Sequence, residues 1–524
     1  QQLLQQLESY NLLIIGLGEG RITATQRRFV NVLLEKFDCV VVCLGAIEEK
    51  VSEWKPSGTD SWVLNFGEAR SRYAVMAQLL FGGIAPHGRM RASAQQPKLL
   101  SETEKANWQN RLGYAPPETV RMDGVALRRQ IDSIVLDGIT NEAYPGAQVL
   151  VARSGKVVFS ESYGYHTYDQ VRPVRSTDLY DYASVTKVSA ALPAIMKLHG
   201  AGRFDLDATL GDYFREMRGS NKADLDFRNI LAHQAQLKPY IVYWASTLKK
   251  NGRYKWRTFR RKKNRRYHIR ITDELYLHRQ YKKKMYKAIR QAAQEDEKAY
   301  KYSGLSFLLY PEMLSRITGV EYESYLQQTF YRPLGAHTIT FNPYLKFPLD
   351  RIVPTERDTF FRMTQVHGAV HDEAAAMLNG VSANAGLFSN ANDLAKLFQM
   401  YLNKGTYGGE RYIAASSVEL FTSCAFCETG NHRGLGFDKP RLEFDESQLS
   451  ISSVSSPSSF GHSGYTGTFV WADPEQELLF IFFSNRVHPT RNNRKLYSMN
   501  IRPQLLKVIY DAIDVSAPAG QSTR

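Results

Sequence analysis

Ser184 and Lys187 stand three residues apart in Tyr180-Asp181-Tyr182-Ala183-Ser184-Val185-Thr186-Lys187, directly ahead of the apolar run 188–198. The pattern predicts a helix start, where positions i and i+3 share a face and a hydroxyl meets an amine across one turn. A serine becomes nucleophilic when a neighbouring group takes its proton, and a lysine whose charged form is disfavoured by burial or by another cation can do so. Backbone N–H groups at a helix N-terminus also favour developing negative charge. Taken alone, the pair better suits a capping serine beside a solvated lysine.

Two further polar stretches precede predicted elements. Tyr302-Ser303-Gly304 precedes an apolar helix predicted over 305–317, and His462-Ser463-Gly464-Tyr465 leads into a strand predicted over 469–473. His233 reads as a packed, hydrogen-bonded histidine. His367, His371, Asp372 and Glu373 have spacings loosely suggestive of metal ligation. Cys424 and Cys427 have C-x-x-C spacing. With no second ligand pair and no thioredoxin-like surroundings, they read as ordinary thiols. Cys39 and Cys43 share parity in the strand predicted over 37–44 and are expected to face one core. The run Gly16-Leu17-Gly18-Glu19-Gly20 departs from the dinucleotide pattern, so no nucleotide site is assigned to it.

A chain of 524 residues with 43% hydrophobic and 23% charged residues suits a soluble globular protein of several domains. No apolar run is long enough to predict a membrane helix. The chain opens without methionine or a signal-peptide pattern, as a processed product or a piece of something longer would. Its formal net charge is +15. Residues 249–290 hold 18 Lys or Arg against two acids, Asp273 and Glu274, so the remainder is near neutral. Tyr254, Trp256, Phe259 and Tyr267 lie between these charges, a composition that also suits nucleic-acid binding.

The elements that must position these groups follow from periodicity. Residues 1–91 read as an α/β unit with buried strands near 12–15 and 39–44 and helices over 25–36 and 70–81. A Gln-, Ser-, Lys- and Pro-rich linker is predicted over 92–121. A domain over 122–517 follows, with a basic insertion at 248–290, and residues 518–524 form a tail. In that domain the spacing predicts a helix over 122–139 and a hairpin turned at Arg153-Ser154-Gly155. The helix after Lys187 should be kinked by Pro193. A helix over 391–402, a second hairpin over 469–483 and a closing helix over 502–513 complete it.

From about residue 125 to 517 the chain resembles the serine β-lactamase and penicillin-binding superfamily, closest to its class C and esterase-like branch. Ser184-x-x-Lys187, the Tyr302 motif and His462-Ser463-Gly464 occur in that family's order, and Leu231-Ala232-His233-Gln234 and Gly386-Leu387-Phe388-Ser389 agree as well. The resemblance implies an α+β fold: an antiparallel sheet made by the first and last hairpins, flanked by helices, with a helical lobe beside it. It implies catalytic roles for Ser184, Lys187 and Tyr302, with either Lys187 or Tyr302 as the base. His462, Ser463, Gly464 and Tyr465 would form the substrate wall, and the N–H groups of Ser184 and Tyr465, the latter on the strand, would form the oxyanion hole. Gly464 would let that strand approach the substrate. For His367, His371, Asp372 and Glu373 the resemblance implies structural or rim positions, so no metal and no cofactor is expected. Where the family has Y-x-N or Y-S-D, this chain has Gly304, which puts β-lactam hydrolysis most in doubt.

The first segment resembles the C-terminal α/β sandwich domain of glycoside hydrolase family 3, best over Ala77-Gln78-Leu79-Leu80-Phe81-Gly82-Gly83-Ile84-Ala85-Pro86-His87-Gly88-Arg89. That family's barrel, with its aspartate nucleophile, has no counterpart here. The combined expectation is a serine hydrolase that forms an acyl-enzyme on a peptide, amide, ester or β-lactam carbonyl in peptidoglycan turnover, located in the periplasm or cell envelope. The alternative is a catalytically weak binding or scaffold module of a family 3 glycosidase fusion. The basic insertion is expected to be a lid or surface element that meets an anionic polymer or membrane surface rather than nucleic acid.

Overall fold

The structure, a computed structural model, describes residues 2–7, 13–17, 23–37, 39–44, 61–65, 72–80, 88–89, 98–99 and 111–513. The chain divides into two compact units, residues 1–113 and 114–524.

In the first unit, strands Leu13–Leu17, Cys39–Leu44 and Ser61–Asn65 form a parallel sheet in chain order. Parallel neighbours need a crossover, and helix Ala24–Lys36 stands between the first two. A capping box starts it: the Gln26 N–H donates to Thr23 Oγ1 at 3.2 Å and the Thr23 N–H to Gln26 Oε1 at 2.9 Å. Val30 and Leu33 are its buried residues, and Cys39 is buried with its thiol 3.7 Å from the Leu33 carbonyl. Met76, from helix Arg72–Leu80, packs with Val42. The Cys43 side chain, the glycine run beyond Leu17, residues 81–87 of the glycosidase-like stretch, most of the linker and the tail lie outside the described residues.

The second unit is built on an antiparallel sheet. Its strands run Phe460–Ser463, Phe469–Asp473, Leu478–Ser484, Gly146–Arg153, Lys156–Gly164 across the sheet. The first hairpin turns at Ser154 and Gly155, whose φ values of 49° and 70° are both left-handed, as a two-residue turn matching strand twist requires. Leu478–Ser484 pairs with Gly146–Arg153, so the two predicted hairpins close one sheet. Helices Gly124–Thr140 and Ile501–Asp511 bring Leu127, Ile131, Val135, Leu505 and Ile509 into one core with Val149, Val151, Phe480 and Phe482. On the face of opposite parity, the Gln148 amide oxygen accepts the Ala391 N–H at 3.0 Å, at the start of helix Ala391–Leu402.

Both prolines act where helices were expected. Ahead of Pro193 the backbone forms a single π turn, Lys187–Ala191, in which Leu192 donates to the Lys187 carbonyl, and a regular helix Leu192–Gly200 follows. Pro311 divides the 305–317 stretch into a 3₁₀ turn, Ser306–Leu308, and helix Tyr310–Thr318.

The basic insertion is folded. Strands Phe259–Arg260, Leu275–His278 and Tyr267–Thr272 form a small antiparallel sheet. Alternation buries Tyr267, Ile269 and Ile271 and leaves His268 outside. Helix Tyr281–Gln291 buries Tyr281, Met285 and Ile289, one residue per turn, and turns Lys283, Lys284 and Lys287 to solvent. The Tyr254 hydroxyl donates to the Phe361 carbonyl at 2.6 Å, which ties the insertion to the domain.

One expectation is corrected. Cys424 and Cys427 are joined by a disulfide, with Cα atoms 5.7 Å apart, rather than being ordinary thiols. The turn between them, leading into the 3₁₀ segment Cys427–Thr429, brings the two residues to bonding distance without any second pair.

Candidate active site

Ser184 is held by the strands around it. Tyr180–Asp181 pairs with Leu387–Ser389, part of the Gly-Leu-Phe-Ser run; the Tyr182 N–H donates to the Leu387 carbonyl at 2.9 Å, and the Leu387 N–H to Thr186 Oγ1 at 3.2 Å. The buried Asp181 carboxylate accepts the N–H groups of Ala183 at 2.8 Å and His371 at 2.7 Å. Burial pushes that carboxyl up, against these two bonds. Ala183 has a left-handed φ of 46°, an unfavourable setting for a residue with a Cβ, and it presents Ser184 at the turn into the helix.

Ser184 is half-buried, whereas Lys187 is 2% exposed. The Lys187 amine donates to Ser184 Oγ and to the Asn384 carbonyl, each at 3.0 Å. Tyr302 completes the cluster. Its ring centroid lies 5.2 Å from Lys187 Nζ, 5.7 Å from the Arg433 guanidinium, 4.5 Å from the His233 ring and 6.0 Å from the His462 ring. The Tyr302 hydroxyl is buried and has no hydrogen-bond partner among the described residues. His233 positions this loop: its Nδ1 accepts the Ser303 N–H at 3.3 Å, and its carbonyl accepts the Lys301 N–H at 2.8 Å. Burial, with Arg433 and Lys187 adding to it, keeps His233 well below the usual histidine range.

The third motif closes the site. Strand Phe460–Ser463 ends before Gly464, whose N–H donates to the Thr468 carbonyl at 2.7 Å, so Tyr465 lies in the turn beyond the strand and not on it. Thr466 Oγ1 donates to the Asp181 carbonyl at 2.7 Å and Thr468 Oγ1 to the Tyr182 carbonyl at 2.8 Å, which staples this turn to the serine segment. A Cβ on Gly464 would lie 2.4 Å from the Tyr182 carbonyl oxygen and 2.0 Å from Thr468 Oγ1. The glycine therefore permits the close approach of two protein segments. Among the described residues, neither the Ser184 N–H nor the Tyr465 N–H has an acceptor.

His462 occupies the position where the related motif has lysine, and its ring is 2% exposed. Its Nδ1 donates to the Ser463 carbonyl at 2.8 Å, and its Nε2 is unpartnered. Burial pushes it down to about 4, with Arg433 and Lys187 adding to the effect and Asp438 opposing it. The ring is neutral at pH 7 and supplies no charge. A group whose folded pKa lies below its unfolded value loses stability as pH falls from about 6.5 to about 4. The full difference corresponds to about 3 kcal/mol at about 1.4 kcal/mol per pKa unit. Urea unfolding of His462→Gln should accordingly show a flatter stability profile between pH 4 and 6.5; an unchanged slope would place the titration elsewhere.

Three contributors escaped the sequence reading. Buried Arg433 and half-buried Asp438 form an ion pair behind Tyr302, and Asp438 Oδ2 accepts the Ser463 N–H at 3.3 Å. The third is Asn384, through its carbonyl. The run Asn431-His432-Arg433-Gly434-Leu435-Gly436-Phe437-Asp438 carried no catalytic spacing, although an arginine and an aspartate flanking two glycines marked a charged turn. His371 and His367 are held by partners within the fold. His371 Nε2 lies 3.0 Å from Glu356 Oε2, and Arg491 bridges Glu356 and Glu373 at 2.5 Å each. His367 Nε2 lies 2.7 Å from the Ile352 carbonyl oxygen, and Asp372 Oδ1 accepts the Asn384 amide at 3.1 Å.

Gly304 leaves room beside the cluster. A Cβ there would meet only Asn384 Cβ, at an ordinary 3.9 Å, and its φ is not left-handed. Gly304→Asn is therefore expected to alter stability by less than about 1 kcal/mol. It should also speed acylation by a fluorescent penicillin by roughly tenfold, since a carboxamide there can hydrogen-bond a substrate amide. Stopped-flow labelling reads the rate, and no acceleration in a folded variant would remove Gly304 as the cause of any weak β-lactam reactivity.

Comparison with known proteins places the fold in a family. The family model described as Beta-lactamase matches residues 131–500. A protein of Escherichia coli O157:H7 named "Putative D-alanyl-D-alanine carboxypeptidase" is 28% identical over 367 residues, 66% of this chain and 79% of its own length. Among solved structures, a penicillin-binding protein homologue from Caulobacter crescentus aligns with TM-score 0.54 at 17% identity, over 76% of this chain and 99% of its own. EstCE1, a hydrolase with promiscuous acyltransferase activity, aligns with TM-score 0.53 at 16% identity, over 74% and 99%. The chain belongs to the beta-lactamase family and is a serine hydrolase.

Proposed function

We propose that this protein opens a peptide, amide or ester carbonyl in the D-amino-acid stems of peptidoglycan through an acyl-enzyme on Ser184. The observation that carries the reading is the 3.0 Å contact between Lys187 Nζ and Ser184 Oγ, next to Tyr302, whose buried hydroxyl has no hydrogen-bond partner among the described residues. Ser184 Oγ attacks the carbonyl carbon as its proton passes to Lys187, which serves as the base. The tetrahedral oxyanion takes the N–H groups of Ser184 and Tyr465, both without acceptors among the described residues and on segments stapled by Thr466 and Thr468. The leaving amine receives the Tyr302 proton, and Lys187 returns its own to Tyr302. Water then releases the acyl group by the same path in reverse.

The carboxypeptidase name of the curated relatives supports the peptidoglycan substrate and, with it, a periplasmic or envelope location. The relation of the first unit to the glycosidase C-terminal domain is also a proposal. It is supported by the Ala77–Arg89 stretch and by the parallel three-stranded sheet.

The test is covalent labelling with a fluorophosphonate and a fluorescent penicillin, followed by peptide mapping. Label should fall on Ser184 and disappear in Ser184→Ala. Folded protein that takes neither label, and does not release D-alanine from a D-alanyl-D-alanine peptide, would leave the scaffold reading standing.

A further inference from the structure

The basic insertion encloses a groove of about 500 Å³ lined by Trp256, Arg257, Arg260, Arg266, Tyr267 and Lys284, with no acidic residue in its wall. All four of these cations are exposed, and none has a carboxylate within ion-pair distance among the described residues. The insertion has only two acids of its own, and Asp273 is already engaged by Arg270.

These charges are organised by rings. The Arg257 guanidinium lies 4.0 Å over Trp256, Arg260 lies 4.9 Å over Tyr267 and Lys284 lies 4.8 Å over Tyr281. The Tyr267 hydroxyl donates to the Arg257 carbonyl at 2.9 Å, which links two walls of the groove. Stacking limits the freedom of long side chains, so less entropy is lost when an anion binds. His278, also in the wall, is pushed down by desolvation and by neighbouring Arg266, Arg279 and Lys284, a sign of uncompensated positive field.

We propose that this groove is a second binding site, separate from Ser184, for a carboxylate-bearing glycan strand of the cell envelope. Carboxylates pair with guanidinium groups in fork geometry, and the exposed Trp256 ring offers a face for a sugar. A groove of this volume accommodates a few sugar or amino-acid units. Tyr267 and Tyr281 are buried, so Trp256 is the one exposed aromatic ring lining the groove. That lacks the succession of stacking faces by which proteins hold single-stranded nucleic acid. A concave cationic wall with one exposed apolar residue is also a poor match for a flat membrane. The choice of a glycan rests on the peptidoglycan reading; the anion site does not.

Binding of a fluorescent oligogalacturonate decamer to the full chain carrying Ser184→Ala tests the site without reference to turnover. Removing the groove cations together (Arg257→Gln, Arg260→Gln, Arg266→Gln, Lys284→Gln) should weaken binding roughly tenfold or more at 150 mM salt. A control losing four exposed cations elsewhere in the insertion (Lys249, Lys250, Lys283 and Lys287, each to Gln) should change it by less than about threefold. Equal losses in the two would replace the groove by diffuse attraction and overturn the proposal. So would mixed-sequence RNA or phosphatidylglycerol vesicles binding more tightly than the decamer in a groove-dependent manner. Unchanged unfolding midpoints in both variants exclude misfolding.

Discussion

Lys187→Met is expected to lower kcat/KM for a D-alanyl-D-alanine peptide by roughly 10³-fold while leaving the fold as stable as before, or more so. The activity loss follows from the amine's position 3.0 Å from the nucleophile. The stability expectation follows from its surroundings. Lys187 is buried, its two hydrogen-bond partners are a hydroxyl and a carbonyl, and its Nζ lies 5.2 and 5.4 Å from the Tyr302 and Phe307 rings. A thioether of similar length fills that space, is polarizable against aromatic rings and needs no ionic partner. Steady-state kinetics and thermal unfolding of the same preparation read the two effects separately. Activity within tenfold of the parent would dismiss Lys187 as the base and transfer the role to Tyr302. A large loss of stability would mean that the amine holds the site together rather than serving its chemistry.

Arg433→Met should destabilise the second unit by about 3 kcal/mol, the low end of the penalty for removing one member of a buried ion pair, because the Asp438 side chain keeps 25% of its surface in solvent. The Arg433 side chain is 2% exposed; Nη1 meets Asp438 Oδ1, and Nη2 donates to the Gly436 carbonyl at 3.3 Å. Burial by itself would push the Asp438 carboxyl up, but Arg433 and His462 hold it at about 2. That carboxylate anchors the outer strand through the Ser463 N–H, and the Asp438 backbone pairs with Gly461 at 2.8 and 2.9 Å. Without the arginine, a half-buried charge remains with only a poorly protonated histidine nearby. Urea denaturation measures the loss. Arg433→Met combined with Asp438→Asn should recover most of it, because an asparagine oxygen still accepts the Ser463 N–H without bringing a charge. A single variant within about 1 kcal/mol of the parent would show that solvent already compensates the pair.

What could be read from the residues was local. The three-residue separation of Ser184 and Lys187 places both on one turn whatever surrounds them. Ser154-Gly155 supplies two left-handed residues for a two-residue hairpin turn. Helix Ala391–Leu402 follows its 3.6-residue pattern, with Asn390 accepting the Asp393 N–H as its cap. Pro193 marked a real departure from regular helix, whereas the break at Pro311 divides a stretch expected to be one helix.

The environment of those groups was not local, and there the sequence was silent. The second partner of Lys187 is a carbonyl 197 residues away, and the turn carrying Tyr465 is stapled to the serine segment across 285 and 286 residues. Gly464 serves that junction, a role visible only once Tyr182 lies against it. A histidine written where the related motif has lysine leaves the charge undecided; burial beside Arg433 makes it neutral. Cys424 and Cys427 likewise needed a specific turn before their spacing meant a bond. The sequence by itself determined which groups could react and which turns and helices would carry them, because those depend on near neighbours. Tertiary structure decided their protonation and their partners, because desolvation and electrostatic fields are set by segments brought together from far along the chain.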